Sequence, residues 1–194
     1  MYIPRGLRTS TVLLALAAAS VLGTGSARAA GENEWQLAGR LGAQTVNVDG
    51  RKPWGPTLAI DLGYGINDAW AIRAVLEASS HSVSQVNPQD ARPVGNVNRQ
   101  AALVGLTYTI DVLRLVPYVD LDIGVVHIGG AVVQSQTLMA MQLGVGADWF
   151  LNRLWTTGMG FRYLFEPADL LADPLNLGTN PFAFSITVRV SRVF

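Results

Sequence analysis

From residue 57 to residue 66 the chain alternates. Leu58, Ile60, Leu62, Tyr64 and Ile66 fall at one parity, and Thr57, Ala59, Asp61, Gly63 and Gly65 at the other. Consecutive side chains of a strand point to opposite faces, so this segment reads as a two-faced strand. The same reading recurs eight times, over residues 34–46, 55–66, 69–82, 98–110, 115–128, 136–150, 154–166 and 181–194. Most of these segments meet the ~9–11 residues that a tilted strand needs to cross a bilayer. The connections alternate too. Those at 67–68, 111–114 and 151–153 are tight, whereas those at 47–54, 83–97, 129–135 and 167–180 are mostly longer and carry Pro, Gly, Asn and Asp, the residues of irregular loops. Short turns at one end and longer loops at the other predict an all-β fold: an eight-stranded antiparallel up-and-down transmembrane β-barrel.

The first 29 residues stand outside this pattern. Arg5 and Arg8 make a basic start, residues 11–23 are apolar, and Ala27 and Ala29 place small residues before a cleavage point. The segment 1–29 reads as a secretory signal peptide that is cleaved off, leaving 30–194 as one barrel domain. Its apolar run is shorter than the ~20 residues of a spanning helix, which argues against the alternative of an anchor.

Composition decides which face of the strands points outward. A soluble barrel such as a lipocalin hides its apolar face inside and shows water a surface rich in Lys and Glu. Here charged residues are 14% of the chain and Lys52 is the single lysine, against a usual charged share of ~25%. The polar face is mostly Gly, Ala, Ser, Thr and Gln, which suits the crowded interior of a narrow barrel. Aromatic positions agree. Trp35, Tyr64, Trp70, Tyr108, Trp149, Trp155 and Phe194 all fall on the apolar parity at the short-turn ends, as in an interfacial girdle. Phe165, Phe182 and Phe184 are candidates for a second girdle near the loops. The apolar face is therefore expected to meet lipid.

Charge and cysteine exclude other classes. The 14 basic and 14 acidic residues balance, and removal of Arg5, Arg8 and Arg28 with the signal leaves −3. A mildly acidic exported domain is a poor ligand for nucleic acid. Absence of cysteine removes disulfides and thiol chemistry.

With these features the chain resembles the eight-stranded bacterial outer-membrane barrels, typified by the transmembrane domain of outer membrane protein A and by outer membrane proteins X and W. The resemblance covers the mature chain and rests on strand count, loop asymmetry and the last strand. That strand ends Ser185-Ile186-Thr187-Val188-Arg189-Val190-Ser191-Arg192-Val193-Phe194. Val188, Val190 and the terminal Phe194 resemble the signal read by the barrel assembly machinery, and Arg192 departs from it where an apolar residue is usual. The resemblance implies the outer membrane, lipid contact, periplasmic chaperones and assembly machinery during biogenesis, short turns in the periplasm, a monomer, and no cofactor.

Parity places Arg40, Arg73, Arg162 and Arg189 inside the barrel with Asp61, Glu77, Asp120 and Asp122, four against four. Isolated charges there are costly, so pairing or hydration is expected. Two readings follow: a network that plugs the lumen, or a polar path for ions or small molecules. Asp120 and Asp122 share a face and have the oxygen chemistry for a divalent cation, but arginine is the expected partner and no metal site is assigned. His81 points inward and His127 toward lipid. Neither has a nucleophile two residues downstream, so no catalytic residues are assigned and a lipid-modifying enzyme ranks last. Gly63 and Gly65, Gly144 and Gly146, and Gly158 and Gly160 point into the lumen, where small residues make room for side chains from opposite strands. Leu170, Leu171, Leu175 and Leu177 are expected to cap the mouth. The leading expectation is a non-enzymatic barrel with a structural or surface-contact role. A narrow channel is second.

Overall fold

The structure, a computed structural model, describes residues 32–48, 50–84, 94–110, 115–167 and 183–194. The expected signal peptide, the turn at 111–114, Phe182 and the four leucines of the expected cap lie outside the described residues. The strands are β1 (Trp35–Val46), β2 (Trp54–Gly65), β3 (Trp70–Val83), β4 (Gly95–Thr109), β5 (Leu115–Gly130), β6 (Gln136–Phe150), β7 (Trp155–Phe165) and β8 (Ala183–Val193). Each pairs antiparallel with the next, and β1 pairs with β8 to close the barrel. No helix among the described residues is long and apolar enough to cross a membrane; the crossing is made by strands.

The fold follows from the period of two. Leu41, Leu58 and Leu76 are 62%, 57% and 64% exposed, whereas Arg40, Asp61 and Asp120 are 1%, 2% and 0% exposed. A water-soluble protein would be arranged the other way round. With ~3.3 Å per residue and a tilt of about 40°, even the 11 residues of β7 exceed the ~25 Å apolar band of such barrels.

Local chemistry sets the tight turns. Asn67 Oδ1 accepts from the backbone N–H groups of Ala69 and Trp70, both at 2.9 Å. Asn152 repeats the arrangement with Leu154 and Trp155, again at 2.9 Å. An Asn side chain that holds its own backbone two and three residues on is a turn former. The longer links differ in detail from the sequence reading. Between β1 and β2, Val48 and Arg51 exchange backbone hydrogen bonds of 2.8 and 2.9 Å, and Gly50 has φ +79°. The expected irregular loop is thus a hairpin extension, with glycine supplying the left-handed backbone. β4 starts at Gly95 because its ladder with β3 extends to the Val83↔Gly95 pair, and β5 runs to Gly130 because its ladder with β4 extends to the Val97↔Gly130 pair.

Inside, glycine makes room. Tyr118 of β5 lies over Gly146 and Gly160, which pair across β6 and β7. A Cβ at Gly146 would meet the Tyr118 ring and the Met159 carbonyl oxygen. Changing Gly146 to Val is therefore expected to lower stability by about 1–3 kcal/mol through overpacking. The measurement is urea unfolding of the refolded barrel, read by tryptophan fluorescence and the heat-shifted gel band; an unchanged midpoint would refute this packing account.

Candidate functional site

The lumen holds the chemistry, arranged in three groups along the axis. Nearest the short turns, Arg189 of β8 donates to Asp148 of β6 and to Gln36 Oε1, both at 3.1 Å. Its guanidinium lies 5.4 Å from the Tyr118 ring centroid. In the middle, Arg73 of β3 bonds Asp122 at 2.7 Å through Nε and sits 2.7 Å from Asp120 through Nη1. Asp120 also receives Arg162 at 3.2 Å and the Thr107 hydroxyl at 2.9 Å. Toward the loops, Arg40 bonds Asp61 at 2.7 Å and lies 3.7 Å from Glu77. Glu77 accepts from Arg99 at 2.7 Å and from Gln44 at 2.8 Å, and Arg99 also bonds Gln44 Oε1 at 2.6 Å.

Two members of this set were absent from the sequence reading. Arg99 and Asp148 also point inward and are buried, so the described lumen holds five arginines and five carboxylates rather than four of each. Parity alone reaches both, since Arg99 shares a face with Gly105 and Thr107, and Asp148 with Gly144 and Gly146. They stand near strand ends, where the alternation is weakest.

The pairing has a rule. Arg73, Gly105 and Asp122 lie in one cross-strand row; Arg162, Gly144 and Asp120 in another; Arg189, Gly158 and Asp148 in a third. Each arginine reaches the carboxylate two strands away across a glycine. A Cβ at Gly105 or Gly158 would collide with the carboxylate of Asp122 or Asp148, and one at Gly144 would press on both Asp120 and Arg162. Arg40, Ala59 and Glu77 repeat the row with alanine in the middle.

Apolar side chains lie at both ends of this polar layer. At the loop end Val46, Val48, Val83, Val97, Ile128 and Ala183 belong to one buried cluster, and Val132 and Val133 of the β5–β6 link pack against it. At the short-turn end Val116 meets Phe150. Between them, a cavity of about 40 Å³ is lined by Gln36, Asp61, Arg73, Tyr118, Asp148 and Arg189, among others. That volume has room for a very few waters.

Outside the barrel, Trp35 and Tyr64 pair at 5.0 Å between ring centroids, and Trp70 and Tyr108 at 4.8 Å. Trp149, Trp155 and Phe194 complete the outward-facing set. Arg192 lies 5.7 Å from the Trp155 ring centroid and 4.9 Å from that of Phe194, so the residue that departs from the terminal pattern is held by aromatic faces. Val188 is exposed and Val190 half-buried on the same wall. Near the loops, Phe184 packs on Phe161 and on Trp54, whereas Phe165 is buried and stacks on Tyr163.

The histidines have partners that the sequence reading did not find. His81 is buried and its Nε2 meets Ser79 Oγ at 3.0 Å, two residues upstream rather than downstream. His127 faces outward, with Nδ1 at 3.0 Å from Thr137 Oγ1 and Nε2 at 3.2 Å from Ser135 Oγ. Among the described residues no acidic side chain hydrogen-bonds either histidine. No cluster of three metal-ligating side chains is present among the described residues.

A family model described as the outer membrane protein beta-barrel domain matches residues 13–189. No curated protein matches the sequence. Among solved structures, Neisserial surface protein A superposes with a TM-score of 0.60 at 15% identity, covering 83% of this chain and 97% of that one. Ail, the attachment invasion locus protein of Yersinia pestis, gives 0.58 at 12% identity, covering 84% and 99%. OprG of Pseudomonas aeruginosa gives 0.58 at 15%, covering 87% and 99%. At these identities the likeness is one of fold.

The geometry ranks the carboxylates. Asp120→Asn leaves both Arg73 and Arg162 short of charge and is expected to cost about 3–5 kcal/mol. Asp148→Asn affects one arginine beside the cavity and is expected to cost about 1–3 kcal/mol. Urea midpoints of the two folded variants test the ranking; equal losses would remove Asp120 from the centre of the network.

Proposed function

The chain belongs to the outer membrane protein beta-barrel domain family, and on that footing we propose that it is a non-enzymatic outer-membrane barrel with a structural or surface-contact role, its lumen closed by paired charges. The observation that carries this reading is the buried charge pairing across the lumen. Five arginines and five carboxylates neutralise one another across the axis, between apolar clusters, and the cavity beside Arg189 is only about 40 Å³. An open pore would need rows of like charge or bare hydrophilic wall along a continuous path. Lipid contacts the outer wall, and assembly machinery engages the last strand during biogenesis through Val188, Val190 and Phe194. The protein acts as a monomer.

Surface contact is supported by the position of the polar strand ends. The two similar structures named as a surface protein and as an attachment invasion locus protein share this fold. A second reading, a narrow channel for ions or small apolar molecules, draws on the polar cavity beside Arg189, which a rearrangement of the Arg189–Asp148 pair would enlarge.

Single-channel recording on the refolded protein in a planar bilayer separates the two. The expected outcome is silence from protein whose heat-shifted gel band reports a folded barrel. Steady conductance whose ion selectivity changes on Asp120→Asn would overturn the closed lumen and establish the channel.

A further inference from the structure

The outer wall is not uniformly apolar. One cross-strand row runs Leu58, Ala78, Gln100, His127 and Thr137 over β2 to β6, all facing outward. The row beside it runs Ile60, Leu76, Ala102, Val125 and Met139. Ala78 and Ala102 are short side chains among long ones, so the wall is furrowed there. The resulting cavity is about 450 Å³, within the roughly 300–1,000 Å³ of small-ligand sites.

The furrow has a wet end and a greasy end, and their heights match a membrane. From Leu115, which pairs with the girdle residue Trp149, to His127, β5 climbs about 30 Å along the axis at ~3.3 Å per residue and ~40° tilt. That is just past the far edge of an apolar band of ~25 Å. From Tyr64 to Leu58, β2 climbs only about 15 Å on the same geometry, which lies inside the hydrocarbon. The furrow thus slopes from the bilayer interior up to its outer boundary. At the top, Thr137 and Ser135 satisfy both ring nitrogens of His127, and Gln100 beside it has no side-chain hydrogen bond among the described residues. None of the outward-facing lining residues is Arg, Lys, Asp or Glu. A phosphate would find no guanidinium or ammonium here, whereas an ester carbonyl would find the Gln100 amide donor.

We infer that this furrow seats one acyl chain of an ester-linked diacyl glycerolipid from the outer leaflet. The ester lies at the Gln100 amide, beside Thr137 and His127, and the chain runs down over Ala102 and Ala78 between Leu58, Leu76 and Val125. The site is continuous with the lipid-facing wall and does not depend on whether the lumen is closed.

The test is native mass spectrometry of the folded protein released from nanodiscs of diacyl phosphatidylethanolamine, of its dialkyl ether analogue, or of the diacyl lipid with added lipopolysaccharide. Wild type is expected to retain one diacyl lipid, and the ether analogue about fivefold less. Filling the furrow by Ala102→Phe or Ala78→Phe is expected to reduce retention at least tenfold. Gln100→Leu is expected to reduce it severalfold and to abolish the ester-over-ether preference. The heat-shifted band reports folding of each variant, and Gln100→Leu with the ether comparison decides if a phenylalanine variant fails to fold. No retained lipid, equal retention after filling, equal ester and ether retention, preference for lipopolysaccharide, or capture of a second protein copy would each overturn the inference.

Discussion

Within hydrocarbon every backbone N–H and C=O must be bonded inside the protein, and an eight-stranded sheet meets that demand only by closing on itself. Here β1 meets β8 over a ladder from Gln36↔Val193 to Val46↔Ala183. Closure at eight strands fixes a narrow lumen, and strand alternation sends every second residue into it. Much of the interior follows from that confinement. A side chain long enough to reach a partner has space only where the strand between contributes almost nothing, hence the rows Arg73–Gly105–Asp122, Arg162–Gly144–Asp120 and Arg189–Gly158–Asp148. At the seam itself Arg40 stands directly opposite Arg189, a pairing that costs energy on an open sheet. Each turns away, Arg40 to Asp61 on one side and Arg189 to Asp148 on the other.

Such a network is not the cheapest filling. A buried ion pair roughly breaks even against apolar side chains of similar volume, and the valine cluster near the loops shows that this barrel also packs that way. The charged rows supply discrimination between registers. A slip of one residue between neighbouring strands turns one of them inside out. It would carry arginines to the lipid face and leave carboxylates behind without partners, at several kcal/mol each. The apolar clusters at both ends reinforce this by keeping the local dielectric low, which makes satisfied pairs stronger and orphaned ones worse.

What was legible in the sequence is what depends on parity. Strand count, the inward facing of Arg40 and Asp120, and the outward facing of Trp35 and Trp149 follow from counting by two. Arg99 and Asp148 obey the same count but sit near strand ends, one at the edge of a long loop and one beside a girdle tryptophan. Partners were not legible. Arg73 and Asp122 are 49 residues apart in the chain, and their meeting depends on two registers and one glycine between them. The Ser79–His81 contact was within reach, because a strand brings i−2 as close as i+2. The hairpin beyond β1 had its signal in Asp49 followed by Gly50, a turn dipeptide that the longer apparent loop obscured.

Among the described residues the ladders of β3 to β6 run far past the apolar band, and this bears on where the barrel meets its surroundings. Among the described residues β3 to β6 have 14, 15, 16 and 15 residues, against 11 in β7. All share the girdle at the short-turn end, so the surplus rises at the other. There the ladders continue to Val83↔Gly95 and Val97↔Gly130, and Ser82 hydrogen-bonds Asn96 at 3.1 Å. The outward residues of this raised wall change from aliphatic to Gln100, His127, Ser80 and Asn98, which is where strand length carries them out of the hydrocarbon. Backbone held in a ladder loses less entropy on binding than a free loop. The ladder-held edge of β3 to β6 is therefore a more economical platform for the proposed surface contact than unpaired backbone would be, and the same length that builds it places the polar end of the furrow at the lipid boundary.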